Sequence, residues 1–80
     1  MEEKYIIYMA QKGDYESFKV LYEKYYMKVY NFVYGKMKKK FDVEDIVQVT
    51  FLKVYKNLKY YDIEKGKFNN FILTFVSSFG

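Results

Sequence analysis

Apolar residues recur along the whole chain at spacings of three and four, which is the period of an α-helix. The pattern contains no alternating, strand-like segment, so we predict an all-α fold, a compact bundle of about four helices. The chain has no proline, and three of its four glycines lie at or near the ends of the helical segments, where turns are expected. We expect a single domain over residues 1–80.

The first two predicted helices meet at a glycine. A short helix covers roughly Glu3–Lys12, Gly13 breaks it, and Asp14 caps a second helix that runs from Tyr15 to about Lys38. The main apolar stripe of this second helix is Phe18, Leu21, Tyr22, Tyr25, Val29, Phe32 and Val33. A second apolar line on the other side is Val20, Met27, Tyr30 and Tyr34. A helix that is apolar on two sides is either packed between neighbours or covered by a partner.

The third predicted helix has an unusual outer side. Lys38–Lys40 forms the loop before it, either as a solvated turn or as a phosphate contact; Asp42 caps it, and it ends near Leu58. Its core face is Val43, Ile46, Val47, Thr50, Phe51, Val54 and Leu58. The opposite side carries Val49 and Leu52, framed by Asp45, Gln48 and Lys56. Two bulky apolar residues within a polar frame are typical of a protein-docking surface.

A loop with adjacent aromatic residues separates this helix from the last one, which begins near Lys67. The core side of the last helix is predicted to be Phe68, Phe71, Ile72, Phe75 and Phe79. Its outer face, which is polar but uncharged, is Asn69, Asn70, Thr74, Ser77 and Ser78.

Composition narrows the chemistry that this chain can perform. The net charge is +4, carried by lysine alone, which favours an anionic partner. The chain has neither His nor Cys, so the usual pairs of nucleophile and base are missing. Its clustered carboxylates (Asp42, Glu44 and Asp45) lie in a first helical turn, where capping explains them. We therefore expect no enzyme, no metal site and no cofactor.

Two features of the sequence indicate where in the cell the protein is expected. The charged start Met-Glu-Glu-Lys leads directly into a helical pattern and is unlike a signal peptide. No apolar run approaches the roughly 18 residues that a membrane-spanning helix needs. We expect a cytoplasmic protein that does not associate with membranes.

Several motifs, in order, resemble one known family. The segment Ala10-Gln-Lys-Gly-Asp-Tyr-Glu-Ser-Phe-Lys-Val-Leu-Tyr-Glu-Lys-Tyr25 is similar to the opening of bacterial RNA polymerase sigma factors of the extracytoplasmic-function type. Val43-Glu-Asp-Ile-Val-Gln-Val-Thr-Phe-Leu52 resembles their most characteristic helix, in region 2. Tyr61-Asp62, Gly66 and Phe68 match the loop and the start of the last helix. The resemblance covers about Tyr5–Ser78 and implies a region 2 domain, with the region 4-like domain that reads the minus-thirty-five element absent from this chain.

This resemblance implies a role for the outer side of the third helix. Asp45, Gln48, Leu52 and Lys53 correspond to positions that grip the clamp helices of the largest subunit of core RNA polymerase. Val49 stands where the family usually has an acid. With Lys56, these residues form the expected polymerase-binding surface.

The resemblance also implies contacts with the single-stranded minus-ten region of promoter DNA. The residues in and around the loop that receives an unpaired base in the family are Lys59, Tyr60, Tyr61, Lys65 and Lys67. Tyr61 is equally compatible with a core position that closes the bundle. On the last helix, Asn69, Asn70 and Thr74 can hydrogen-bond bases or phosphates. The family has arginines and a tryptophan on this helix, whereas here Phe71 replaces the tryptophan and uncharged residues replace the arginines.

A second function stays open at this point. A protein-interaction module could keep the docking helix, without reading DNA, and bind the polymerase or an anti-sigma factor. The uncharged outer face of the last helix favours this alternative, and the loop that bears tyrosines and lysines opposes it.

Overall fold

The structure, a computed structural model, describes residues 2–37 and 40–77. Its elements in chain order are α1 (Glu3–Gln11), α2 (Tyr15–Met37), α3 (Lys40–Asn57), a 3₁₀ turn (Leu58–Tyr60) and α4 (Phe68–Ser77). These residues contain no β-strand, which confirms the all-α prediction. Within the same ranges, no helix combines the length and the apolar character needed to cross a membrane. Lys38, Lys39, Ser78, Phe79 and the side chain of Ser77, which entered the predictions, lie outside the described residues.

The predicted helix boundaries need one correction. The third helix begins at Lys40, earlier than expected, so Asp42 lies in its first turn and does not cap it. The placement still suits a carboxylate, because the first turn of a helix carries positive partial charge. Lys40 accordingly belongs to α3 and not to the loop before it.

The break between α1 and α2 depends on a glycine. Gly13 has φ 101°, a left-handed conformation that residues with a Cβ rarely adopt. Its amide donates to Ala10 O at 3.0 Å, and the amide of Asp14 donates to Met9 O at 3.1 Å. Asp14 occupies the predicted cap position: its carbonyl accepts from the amide of Phe18, and its carboxylate accepts from Ser17 Oγ. The chain therefore reverses within three residues and lays α1 along α2.

The core lies where α2 packs against α1, α3 and α4. Its most deeply buried side chains come from α2, α3 and α4: Leu21, Val29, Val33, Val43, Val47, Val54 and Ile72. Thr50 is the one buried polar residue of the described ranges, and its hydroxyl donates to Ile46 O at 2.7 Å. This bond satisfies the hydroxyl within its own helix, so the core carries no unmet polar group at that point.

Two assignments of helix faces were wrong in detail. Phe32, predicted within the main stripe of α2, is 37% exposed. In this part of α2 the buried residues are Val29 and Val33, which are four residues apart and so lie on the same face of the helix. Val76 was not predicted and is buried in α4. The second line of α2 faces solvent for most of its length: Val20, Met27 and Tyr34 are all exposed.

A polar contact fastens the start of α1 to α2. The carboxylate of Glu3 accepts hydrogen bonds from Lys24 Nζ and from the hydroxyl of Tyr25, the latter at 2.9 Å and 3.0 Å. Burial and the contact with Glu3 raise the pKa of Tyr25 to about 12. Burial alone would raise the pKa of Glu3, but the bonds from Lys24 and Tyr25 outweigh it and hold that pKa below its ordinary value.

Candidate functional site

The outer side of α3 exposes the apolar pair that the sequence singled out. Val49 is 38% exposed and Leu52 is 52% exposed, whereas Phe51, adjacent to Leu52 in the chain, is 4% exposed. Of the residues predicted to frame this pair, Asp45, Gln48 and Lys56 are exposed, and Lys53 is half-buried. The predicted division of α3 into a core face and an outer face is confirmed. We call Asp45, Gln48, Val49, Leu52, Lys53 and Lys56 the α3 surface.

A groove between α2 and α3 adjoins the α3 surface. It has a volume of about 630 Å³, and its walls include Tyr15, Lys19 and Glu23 from α2 with Gln48 and Leu52 from α3. The Nε2 of Gln48 donates to the hydroxyl of Tyr22 at 2.9 Å and so ties the α3 surface to α2. The part played by α2 was not predicted, and the second apolar line of α2 was no signal for it, since none of its residues lines the groove.

Tyrosine rings continue this surface along α2. Tyr22, Tyr26, Tyr30 and Tyr34 recur every fourth residue, and their ring centroids are separated by 5.5, 6.2 and 6.4 Å in turn. Side chains four apart lie above one another on a helix, so the rings form a row. Burial raises the pKa of Tyr26, with a further contribution from the charge of Glu44 on α3. The tyrosine row therefore borders the first half of α3.

The 3₁₀ turn presents a second exposed group. Tyr60 is 72% exposed, and Lys59 Nζ lies 5.2 Å from the centroid of its ring. An exposed ring beside an ammonium group can stack on a base while the cation faces a phosphate. These two residues lie at the end of α3 opposite to its N-terminus, apart from Asp45.

Tyr61 is only half-buried but has a packing role. Its ring lies 4.9 Å from that of Phe71 and 5.4 Å from that of Phe68, centroid to centroid. Its hydroxyl donates to Gly66 O at 2.6 Å, closing the loop, and burial raises its pKa. Of the two alternatives for Tyr61, the structure supports the core position that closes the bundle.

Four of the residues predicted to bind DNA line a cleft beneath this loop. It has a volume of about 560 Å³, and Tyr61, Lys65, Lys67 and Asn69 line it together with residues of α1 and α2. Asn69 Oδ1 is buried and has no hydrogen-bond partner within the described residues. An amide oxygen can accept from the amino group of a base. We call this depression the loop cleft.

The remaining predicted DNA contacts are not in the loop cleft. Lys59 lies beside a smaller depression with Gln11 and Lys56. Asn70 and Thr74 are exposed on α4, where Thr74 Oγ1 donates to Asn70 O at 2.9 Å. The predicted DNA residues thus fall into three groups around the C-terminal end of α3 and the start of α4.

The fold and these surfaces define a small helical domain in which α3, with its exposed apolar pair, precedes a loop bearing lysine and tyrosine. Residues 21–78 match the family model described as Sigma-70 region 2. Since this match spans well over half of the chain, the protein belongs to the sigma-70 region 2 family. The family acts in transcription initiation, with core RNA polymerase and promoter DNA as its partners. No curated protein and no solved structure matches the chain.

Proposed function

We propose that this domain, as part of a sigma factor of the extracytoplasmic-function type, binds core RNA polymerase through the α3 surface. The observation that carries the proposal is the exposure of Val49 and Leu52 on a helix whose other face is fully packed. Folding of the described residues leaves this pair exposed, and a docked partner would bury it. Asp45, Gln48 and Lys56 supply the polar rim that surrounds the apolar centre of a typical interface.

The occupant of this surface is the pair of clamp helices in the largest polymerase subunit. The groove between α2 and α3 gives an apolar side chain of such a helix a place beside Leu52. The hydrogen bond between Gln48 and Tyr22 joins the two sides of that groove. Interface formation requires no catalytic step, metal or cofactor of this domain.

A second role is contact with the single-stranded minus-ten element during promoter melting. Opening DNA costs about 1.4 kcal/mol per stacked step, and an aromatic platform returns about 1–3 kcal/mol per base. The exposed ring of Tyr60 is such a platform, and Lys59 lies beside it for the backbone. In the loop cleft, the exposed Lys65 and Lys67 are available to the phosphates of a strand bound there.

One observation favours the alternative of an interaction module that does not read DNA. The sequence of α4 from Phe68 to Ser77 contains no charged residue, so this helix adds no electrostatic attraction to phosphate. Such a module would compete for the polymerase or bind an anti-sigma factor through the same α3 surface.

Fluorescence anisotropy with a labelled single-stranded minus-ten oligonucleotide tests the two functions. We expect the full chain with core polymerase to bind this strand more tightly than a scrambled strand, with an affinity that falls as salt is added. Clear binding of core polymerase without any promoter-strand signal at low salt would refute the DNA role and leave the interaction module. A chain that does not bind core polymerase at all would refute the sigma-factor role and leave only the form of the module that binds an anti-sigma factor.

A further inference from the structure

The last residue of α1 reaches across the molecule to the end of α3. Gln11 Nε2 donates to Leu58 O at 3.0 Å and to Tyr61 O at 2.8 Å. These two carbonyls lie at the beginning of the 3₁₀ turn and directly after it. One amide group, 47 and 50 residues away in the chain, therefore holds both ends of the turn.

The bonds supply what this segment of backbone lacks. Carbonyl groups at the end of a helix have no partner within the helix and need one elsewhere. Leu58 O also accepts from the amide of Tyr61 at 3.0 Å, so its two lone pairs are used by the turn and by Gln11. The side chain of Leu58 is buried, whereas the side chains of Lys59 and Tyr60, between the two bonded carbonyls, are exposed.

We propose that Gln11 is a positioning residue for DNA contact, which fixes the orientation of Lys59 and Tyr60 relative to the rest of the domain. The proposal rests on the proposed contact with the minus-ten strand. Gln11 lines a small depression with Lys59, and both of its hydrogen bonds go to the backbone that carries the two exposed side chains. It also lies before residue 21, where the family match begins, so this function belongs to a part of the chain that the match does not cover.

Gln11 acts by preorganising the turn for DNA binding. A turn that samples several conformations binds its ligand with an affinity reduced by the fraction of time spent in the competent one. Donation from Gln11 keeps that fraction high before DNA arrives. The polymerase contact should not depend on it: Gln11 is outside the α3 surface and the groove beside it, although it lines the smaller depression together with Lys56, which belongs to that surface.

Two substitutions separate hydrogen-bond donation from shape and charge. Gln11→Leu removes the donor and stays neutral, and Gln11→Glu keeps the shape of the side chain but cannot donate at neutral pH. Tyr8→Ala, at an exposed residue of the same helix, is the matched control. The measurements are amide hydrogen exchange of residues 59–61, anisotropy with the minus-ten oligonucleotide in the presence of core polymerase, affinity for core polymerase, and the thermal unfolding midpoint.

In both Gln11 variants, we expect the amide hydrogens of the turn to exchange about 30-fold faster than in the wild-type protein. This is the effect of losing two neutral hydrogen bonds. We expect them to bind the oligonucleotide about fivefold more weakly or worse while core affinity stays unchanged. Tyr8→Ala should alter neither quantity.

The possible failures are distinguishable. If the wild-type protein binds the oligonucleotide and both variants bind it equally well, the positioning role is refuted and the DNA contact stands. If the variants lose core affinity and thermal stability in parallel with DNA affinity, Gln11 supports the whole fold and the positioning role is again refuted. If the wild-type protein binds no oligonucleotide, the proposed DNA contact itself is refuted, and the role of Gln11 with it.

Discussion

Truncation of Leu52 to alanine tests whether the apolar pair on α3 is a docking surface. Leu52 is 52% exposed and Phe51, its neighbour in the chain, is 4% exposed, so two adjacent residues offer opposite outcomes. We expect Leu52→Ala to weaken polymerase binding with little effect on folding. We expect Phe51→Ala to do the reverse, by damaging the fold itself.

The expected magnitudes follow from the exposed fractions. Complete burial of a leucine side chain is worth about 1.5–3 kcal/mol. Since about half of Leu52 is still exposed, docking has about 1 kcal/mol left to gain there, and its loss corresponds to roughly fivefold weaker binding. Emptying the buried site of Phe51 costs about 3–5 kcal/mol, a large part of the roughly 4–12 kcal/mol expected for a domain of this length.

The assay pairs an affinity with a melting temperature. Affinity for core polymerase is measured by competition. The unfolding midpoint is measured by circular dichroism at about 222 nm, where the signal reports helix content. Leu52→Ala should lower the midpoint by no more than about 4–8 °C, the shift that corresponds to about 1 kcal/mol in a small domain. Met27→Ala is the control for loss of an exposed apolar side chain elsewhere, since Met27 is 58% exposed on α2. It should leave polymerase affinity unchanged.

Two results would contradict the assignment of Leu52 to a docking surface on α3. If Leu52→Ala unfolds the protein as severely as Phe51→Ala does, Leu52 contributes to the core and the face assignment is wrong. If Leu52→Ala and Met27→Ala have the same polymerase affinity as the wild-type protein, the exposed pair is not the docking surface.

Three further predictions concern the loop and the contact between α1 and α2. Tyr60→Ala should weaken binding of the minus-ten oligonucleotide by about 1–3 kcal/mol in anisotropy titrations without shifting the unfolding midpoint, because the ring is 72% exposed; an unchanged affinity would contradict its role as a platform. Lys65→Gln should reduce the slope of log affinity against log salt by about 0.7, the value for one phosphate contact on a single strand; an equal slope would remove Lys65 from the contact. The pKa of Tyr25 is raised from 10.0 to about 12 by burial and by Glu3, so its stabilising effect is complete below pH 10 and is lost as the pH rises toward about 12. The difference in stability between wild type and Tyr25→Phe should shrink over that range in denaturant titrations, and a difference that grows with pH would contradict the sign.

The periodicity of the sequence was sufficient for the helices that bury one face. Along α3 and into the turn that follows it, Val43, Val47, Val54 and Leu58 return to the same side, and all of them are buried. Because this apolar stripe is narrow, its position also defines the outer face of the helix. Val49 and Leu52 could therefore be recognised from the spacing alone as apolar residues that the core does not use.

Periodicity was less informative where a helix is apolar over a wide angle. In α2 the stripe included Phe32, which faces solvent, because a count of apolar residues does not show where neighbouring helices end. In α4, Phe68 and Ile72 are buried as predicted, but Val76 is buried as well and was not included in the prediction.

Contacts that depend on distant backbone could not be predicted at all. The two bonds from Gln11 join residues on different elements, and no local pattern indicates that a glutamine at the end of a helix meets those carbonyls. Tyr61 illustrates the same limit: a tyrosine in a lysine-bearing loop suits DNA as well as a core, and only the rings of Phe68 and Phe71 decide for packing.

The packing of α1 has a consequence for how the domain should be cut. The match to the family model starts at residue 21, which lies inside α2 and not at the beginning of any element. A fragment of residues 21–78 would lack Ile7 and Ala10, which are 2% and 5% exposed in the intact chain, and with them Gln11 and Gly13. It would begin partway along a helix, with the side chain of Leu21 newly exposed to water. For this protein, the unit to express, label or transplant into another sigma factor extends back to Glu2, whose carbonyl accepts the first hydrogen bonds of α1.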